Sequence, residues 1–186
     1  MTPRGHRILL ALIAGALTLT AACSLQAEVD RASPTCNLDK SLNALILEAQ
    51  SVPTAERVPC VATVPAGWRI ASANARSGRS ELIMANDRAG AKALVVHLES
   101  RCNARGTTEI PSDEPGARRF ERIESVTPGF DATRYYLSPG GCITYQFKLS
   151  PKGRTLVNEA SLAVATMSRA KLDSEVRRRS HGRVHL

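Results

Sequence analysis

Residues 131–149, DATRYYLSPGGCITYQFKL, leave the backbone little choice. Ile143, Tyr145, Phe147 and Leu149 fall on one side of an extended chain, and Thr144, Gln146 and Lys148 on the other. That period of two is the pattern of a half-buried strand. Thr133 to Leu137 is rich in strand formers. Ser138-Pro139-Gly140-Gly141 between the two runs supplies turn residues. The stretch predicts an antiparallel hairpin with one apolar face, and such a face needs a cover. Gly140-Gly141 is no phosphate loop, because the strand, helix and downstream lysine of that motif are missing.

More strands precede the hairpin. AKALVVHLESRC places Leu94, Val96 and Leu98 on one face and Ala93, Val95 and His97 on the other, the mark of a central strand covered on both sides. Upstream, the pattern predicts strands at 68–74 and 80–86, a turn at Ser77-Gly78 and a hairpin loop at Asp87–Gly90. Residues 103–117 are turn-rich and acidic at Asp113-Glu114 and read as a solvated connection; the other reading is a mobile loop that binds a partner or a cation. Residues 118–126 read as an edge strand whose charges discourage further pairing.

Helical signals flank this region. Leu38, Leu42, Leu45, Ile46 and Ala49 form an apolar stripe over 38–51, with Asn37 as N-cap. Three prolines between Pro53 and Trp68 exclude a regular helix there, and Trp68, the single tryptophan, reads as a core anchor. Beyond Pro151, Leu156, Val157, Ala160, Ala163, Val164 and Met167 predict an amphipathic helix of about four turns. Ser168 then caps a short helix carrying Leu172 and Val176 on one face. The expected fold is one α+β domain with an antiparallel sheet of about four to six strands, a C-terminal amphipathic helix packed on it, and disulfide staples.

The first 23 residues, MTPRGHRILLALIAGALTLTAAC, follow another logic. Arg4 and Arg7 make a positive start, residues 8–22 are uncharged and mostly apolar, and Ala21-Ala22 are small. These are the three parts of a secretory signal peptide; a run of 15 residues is short for a spanning helix, and the other reading is an uncleaved membrane anchor. Ala22-Cys23 resembles the lipobox of bacterial lipoproteins, although Thr20 stands where that family prefers leucine. The resemblance covers residues 1–23 alone and implies cleavage before Cys23 and a diacylglycerol thioether on its sulfur. The competing reading is cleavage after Ala27 and a soluble secreted protein. Twenty of the 25 basic residues are arginine, a bias of GC-rich genomes. The remainder of the chain resembles uncharacterised exported proteins of actinobacterial type, with no named family. The expected address is therefore the outer face of the cell membrane of a high-GC Gram-positive bacterium. The expected organisation is a signal peptide over 1–22, a lipid-anchored tether over 23–36, a single domain over 37–168 and a basic helix or tail over 169–186.

With Cys23 assigned to lipid, Cys36, Cys60, Cys102 and Cys142 remain. An even number in an exported chain reads as two disulfides, and four cysteines allow three pairings. The favoured pairing is Cys36–Cys60 and Cys102–Cys142, the second bridging strand ends. No close cysteine pair or histidine cluster has metal-ligand spacing, so no metal and no cofactor is expected.

Charge is unevenly spread. Residues 23–168 carry 17 basic and 15 acidic side chains, against six and two over 169–186. Arg177-Arg178-Arg179 is the densest run; it suits a helix C-terminus and is a candidate site for an anionic lipid or cell-wall polymer. Nucleic acid is not expected, since the tail lacks stacking aromatics and the chain is exported. No G-x-S-x-G, H-E-x-x-H, Walker or dinucleotide motif occurs. The expected function is a lipid-anchored cell-envelope protein acting by binding or protein interaction. The alternatives are an exported, hydrolase-like enzyme with His97 and the acidic loop near its site, or a soluble secreted binding protein.

Overall fold

The computed structural model describes residues 34–149 and 153–186. The signal peptide and Cys23 lie outside the described residues. The compact unit runs over Ala32–Leu186. Its elements are α1 (Leu38–Ser51), β1 (Arg57–Val61), β2 (Trp68–Arg76), β3 (Arg79–Asn86), β4 (Gly90–Glu99), β5 (Thr108–Ile110), β6 (Arg118–Ser125), β7 (Phe130–Ser138), β8 (Gly141–Leu149), α2 (Gly153–Ala163), β9 (Val164–Ser168) and α3 (Arg169–Arg179).

The fold is α+β, as the hairpin pattern requires, with a larger sheet than expected. Seven strands pair in the order β2-β3-β4-β8-β7-β6-β5, every neighbour antiparallel, and β1 and β9 form a separate two-stranded ribbon. Three differences account for the added strands. The loop 103–117 contains β5, which pairs with β6 and moves β6 off the sheet edge. The helix expected to continue to Met167 ends at Ala163, and Val164–Ser168 extends into a ladder with Arg57–Val61. Val164, Ala165 and Met167 are buried in that ladder; a short apolar run of this kind suits helix and strand periods alike, so the partner decides. β1 contains Pro59, which a strand tolerates when one of its sides has no ladder to lose.

One face of the sheet builds the core. Leu82, Met84, Leu94, Val96, Leu98, Ile143, Tyr145 and Phe147 meet Leu45 and Ala49 of α1, Val58 and Met167 of the ribbon, Leu156 and Ala160 of α2, and Leu172 and Val176 of α3. Ala93 to Leu98 of β4 are all buried. Trp68 is buried as an anchor, and its indole N–H donates to Glu159 Oε2 at 2.9 Å.

Two local features lock the layers together. The turn Pro139–Gly141 lies against the end of α1: Thr54 Oγ1 donates to the Gly140 carbonyl at 2.7 Å. A β-carbon on Gly140 would sit 1.8 Å from the Thr54 carbonyl oxygen, and φ there is +66°. The glycine pair thus serves close backbone approach. Arg169, counted by charge with the basic tail, reaches back to the C-terminus of α1. Its guanidinium donates to the carbonyls of Ala49 at 2.6 Å, Val52 at 2.7 Å and Ala55 at 2.8 Å, at and just beyond the helix end, where carbonyls lack intrahelical donors.

The disulfides are Cys36–Cys60 and Cys102–Cys142, the favoured pairing. The first ties the segment before α1 to β1. The second joins the chain leaving β4 to the start of β8, whose register already sets Glu99 opposite Cys142. Two such bonds belong to an oxidising, exported environment. No helix among the described residues is long and apolar enough to cross a membrane.

Candidate functional site: the cleft beside α1

Ser41, Ala44, Leu45 and Glu48 recur at helical spacing along α1, beside the stripe that faces the core. Opposite them run the segment Cys60–Val64 and, from the sheet, Ile70, Ala73 and Leu82. Together with Asn37 these residues enclose a cleft of about 440 Å³. Its walls are mainly apolar, and Val64 and Ile70 within them are 45% and 48% exposed. The volume falls within the range of small-molecule sites, roughly 300–1,000 Å³.

Glu48 is the exception in this apolar setting. It is 8% exposed, and its Oε2 has no hydrogen-bond partner among the described residues. Burial pushes its carboxyl up to about 8, because water is removed from the charged form and no cation replaces it. At neutral pH Glu48 is therefore mostly a neutral acid, able to donate a hydrogen bond. Among the described residues, no lining residue other than Glu48 carries an ionisable side chain, since Cys60 is held in its disulfide. No motif in the sequence singles out Glu48. The available signal was its spacing, three residues from Leu45 and seven from Ser41, which keeps it next to the apolar face.

His97 occupies a different part of the sheet. The ladders set it between Glu81 of β3 and Thr144 of β8. It is 5% exposed, its Nδ1 lies 3.6 Å from Glu81, and Arg79 Nη2 lies 2.9 Å from both ring nitrogens. Burial, then the Arg79 charge, lower its pKa against the opposing pull of Glu81 and Glu99, so the ring is neutral at neutral pH. A guanidinium against both ring nitrogens leaves no free lone pair for proton abstraction in this arrangement. His97 joins Arg79, Glu81 and Glu99 in a cross-strand polar cluster.

The acidic loop is not free either. Asp113 accepts from Tyr136 at 2.8 Å and pairs with Arg119 at 3.3 Å. Glu114 accepts from Arg57 at 2.8 Å and Thr166 at 2.7 Å. These bonds tie the Asp113-Glu114 part of the loop to the sheet and the ribbon, while most of residues 103–117 stay exposed, as a solvated connection would be. In the C-terminal run, Arg177 pairs with Asp173, Arg178 with Glu175, and Arg179 with Asp39. The three arginines are thereby partly neutralised, while Leu172 and Val176 hold their helix in the core. Among the described residues, no cluster of three or more His, Cys, Asp or Glu could hold a metal ion. No protein-family model, curated protein or solved structure matches the chain, so the reading of this site rests on its geometry.

Proposed function

We infer that the protein is a lipid-anchored binding protein of the cell envelope, tethered through Cys23, that takes a small apolar molecule into the cleft beside α1. The cleft carries this reading: mainly apolar walls, exposed Val64 and Ile70, and one buried polar group with no partner. The tether is consistent with it. Thirteen residues separate Cys23 from Asn37 on the cleft wall, a reach of at most about 50 Å, so an anchored molecule can sample ligands at the membrane surface. The disulfides support export.

Titration with the neutral apolar dye Nile red tests the cleft. Saturable one-to-one binding is expected, and it should be lost on Ala44→Trp or Ala73→Trp, which fill the cleft from exposed positions. Unchanged binding in both variants would remove the cleft from the reading. Metabolic labelling with a fatty-acid analogue tests the tether, and equal label on the wild type and Cys23→Ala would end the lipoprotein assignment.

A further inference from the structure

We propose that the cleft beside α1 selects an apolar molecule carrying one ammonium group, with the Glu48 carboxylate as its counter-ion. The proposal rests on the cleft being a binding site and adds the chemical class of its ligand. Its basis is charge complementarity. Glu48 lines the cleft, its Oε2 is buried without a hydrogen-bond partner, and among the described residues the lining has no other ionisable group. An anionic amphiphile would meet Glu48 with no cation to receive its charge. An ammonium supplies the missing donor and charge, and its hydrocarbon part replaces water against Val64, Ile70 and Leu82.

Among the described residues, the surrounding charges do not compete for Glu48. Arg57 of β1 is bound to Glu114. On β2, Arg69 pairs with Asp87 and Arg76 is exposed. On β3, Arg79 and Glu81 belong to the His97 cluster. On α3, Arg169 holds backbone carbonyls and Arg179 pairs with Asp39, itself on α1. No neighbouring charge contributes to the shift of Glu48, which burial alone produces. Binding of the ammonium ion converts the Glu48 carboxylic acid to carboxylate and releases its proton to solvent.

Calorimetric titration of the disulfide-bonded protein with octylamine, 1-octanol and octanoate, in two buffers of different ionisation enthalpy, decides the matter. Octylamine should bind at least about tenfold more tightly than 1-octanol, as expected for a desolvated charge-assisted bond. It should release close to one proton at pH 7, and its affinity should rise with pH until about pH 8. In Glu48→Gln the amine should fall to within about threefold of 1-octanol measured on the same variant, and the proton release should vanish. Ala73→Trp should abolish binding of all three. Octylamine and 1-octanol binding alike to the wild type would overturn the ammonium assignment while leaving the cleft as a site. A preference for octylamine that survives in Glu48→Gln would overturn the role of Glu48. Failure of all three probes to bind would overturn the cleft reading itself.

Discussion

The two flanks of the core-facing sheet surface solve the same problem differently. Toward β6 and β7 the chain places charges there and pairs them. Glu121 receives Arg119 at 2.6 Å and also Arg134, Arg134 Nη1 donates to Ser161 at 3.2 Å, and Tyr136 is bound to Asp113. Toward β2 and β3, α1 supplies the cover, and Glu48 is buried with an unpartnered oxygen. The pKa shifts follow. Burial would raise Glu121, but the hydrogen bond from Arg119 and the charge of Arg134 outweigh it and hold it below the usual carboxylate range. Glu48 has no such compensation and goes up. A half-buried acid that keeps its partners keeps its charge, whereas an unpaired buried one costs stability that a ligand can recover.

The largest effect expected from breaking this contrast is at Glu48. Because its folded-state pKa lies above its unfolded value, its contribution is fully present below pH 4.5 and is lost as pH rises toward 8. Over that window the linkage amounts to about 5 kcal/mol. Glu48→Gln should therefore match the wild type near pH 4.5 and exceed it increasingly up to pH 8, read by urea unfolding at several pH values. Parallel pH profiles for the two proteins would show that Glu48 is solvated.

The disulfides sharpen the contrast next. Replacing either pair by serine should cost roughly 3–4 kcal/mol from loop closure. Only the Cys36→Ser/Cys60→Ser variant should also weaken Nile red binding, because Cys60 is part of the cleft wall and the Cys102–Cys142 bond is not. Equal dye affinity in both variants would separate the cleft from its staple. Glu121→Ala should cost about 3 kcal/mol at pH 7, since it leaves Arg119 and Arg134 facing each other without their shared acid. Its depressed pKa gives the opposite sign to Glu48: the contribution is present above the unfolded pKa and lost as pH falls through the folded one. A variant that instead gains relative stability as pH rises would contradict that assignment. The smallest effect is expected at Arg179→Ala, under about 1 kcal/mol by thermal unfolding, because its partner Asp39 is 85% exposed.

Much of the fold could be read from local pattern. The β7–β8 hairpin, the β2–β3 and β3–β4 turns, the strand through His97 and the helix over 38–51 all have a period and turn chemistry of their own. Both disulfides followed once the hairpin was seen, because Cys142 opens one strand and Cys102 follows another. The elements misjudged are those whose state depends on a distant partner. β5 exists by pairing with β6, and Val164–Ser168 became a strand because Arg57–Val61 lies alongside it. The candidate site was less legible. His97 and Arg177–Arg179 drew notice by residue type, and the structure surrounds each with charges of the chain. Glu48 carried no motif.

The sequence by itself determined the export-like start, the cysteine parity, the alternation that commits the chain to an antiparallel sheet, and the apolar stripes that cover it. These are properties of residues close together, where periodicity and covalent chemistry suffice. The tertiary structure decided which charges find partners. Asp113 and Glu114 were docked, Arg169 was drawn to the end of α1, and Glu48 was left alone in an apolar cleft. Pairing and desolvation depend on groups brought together from far along the chain, and they turn an ordinary glutamate into the strongest candidate for a binding group.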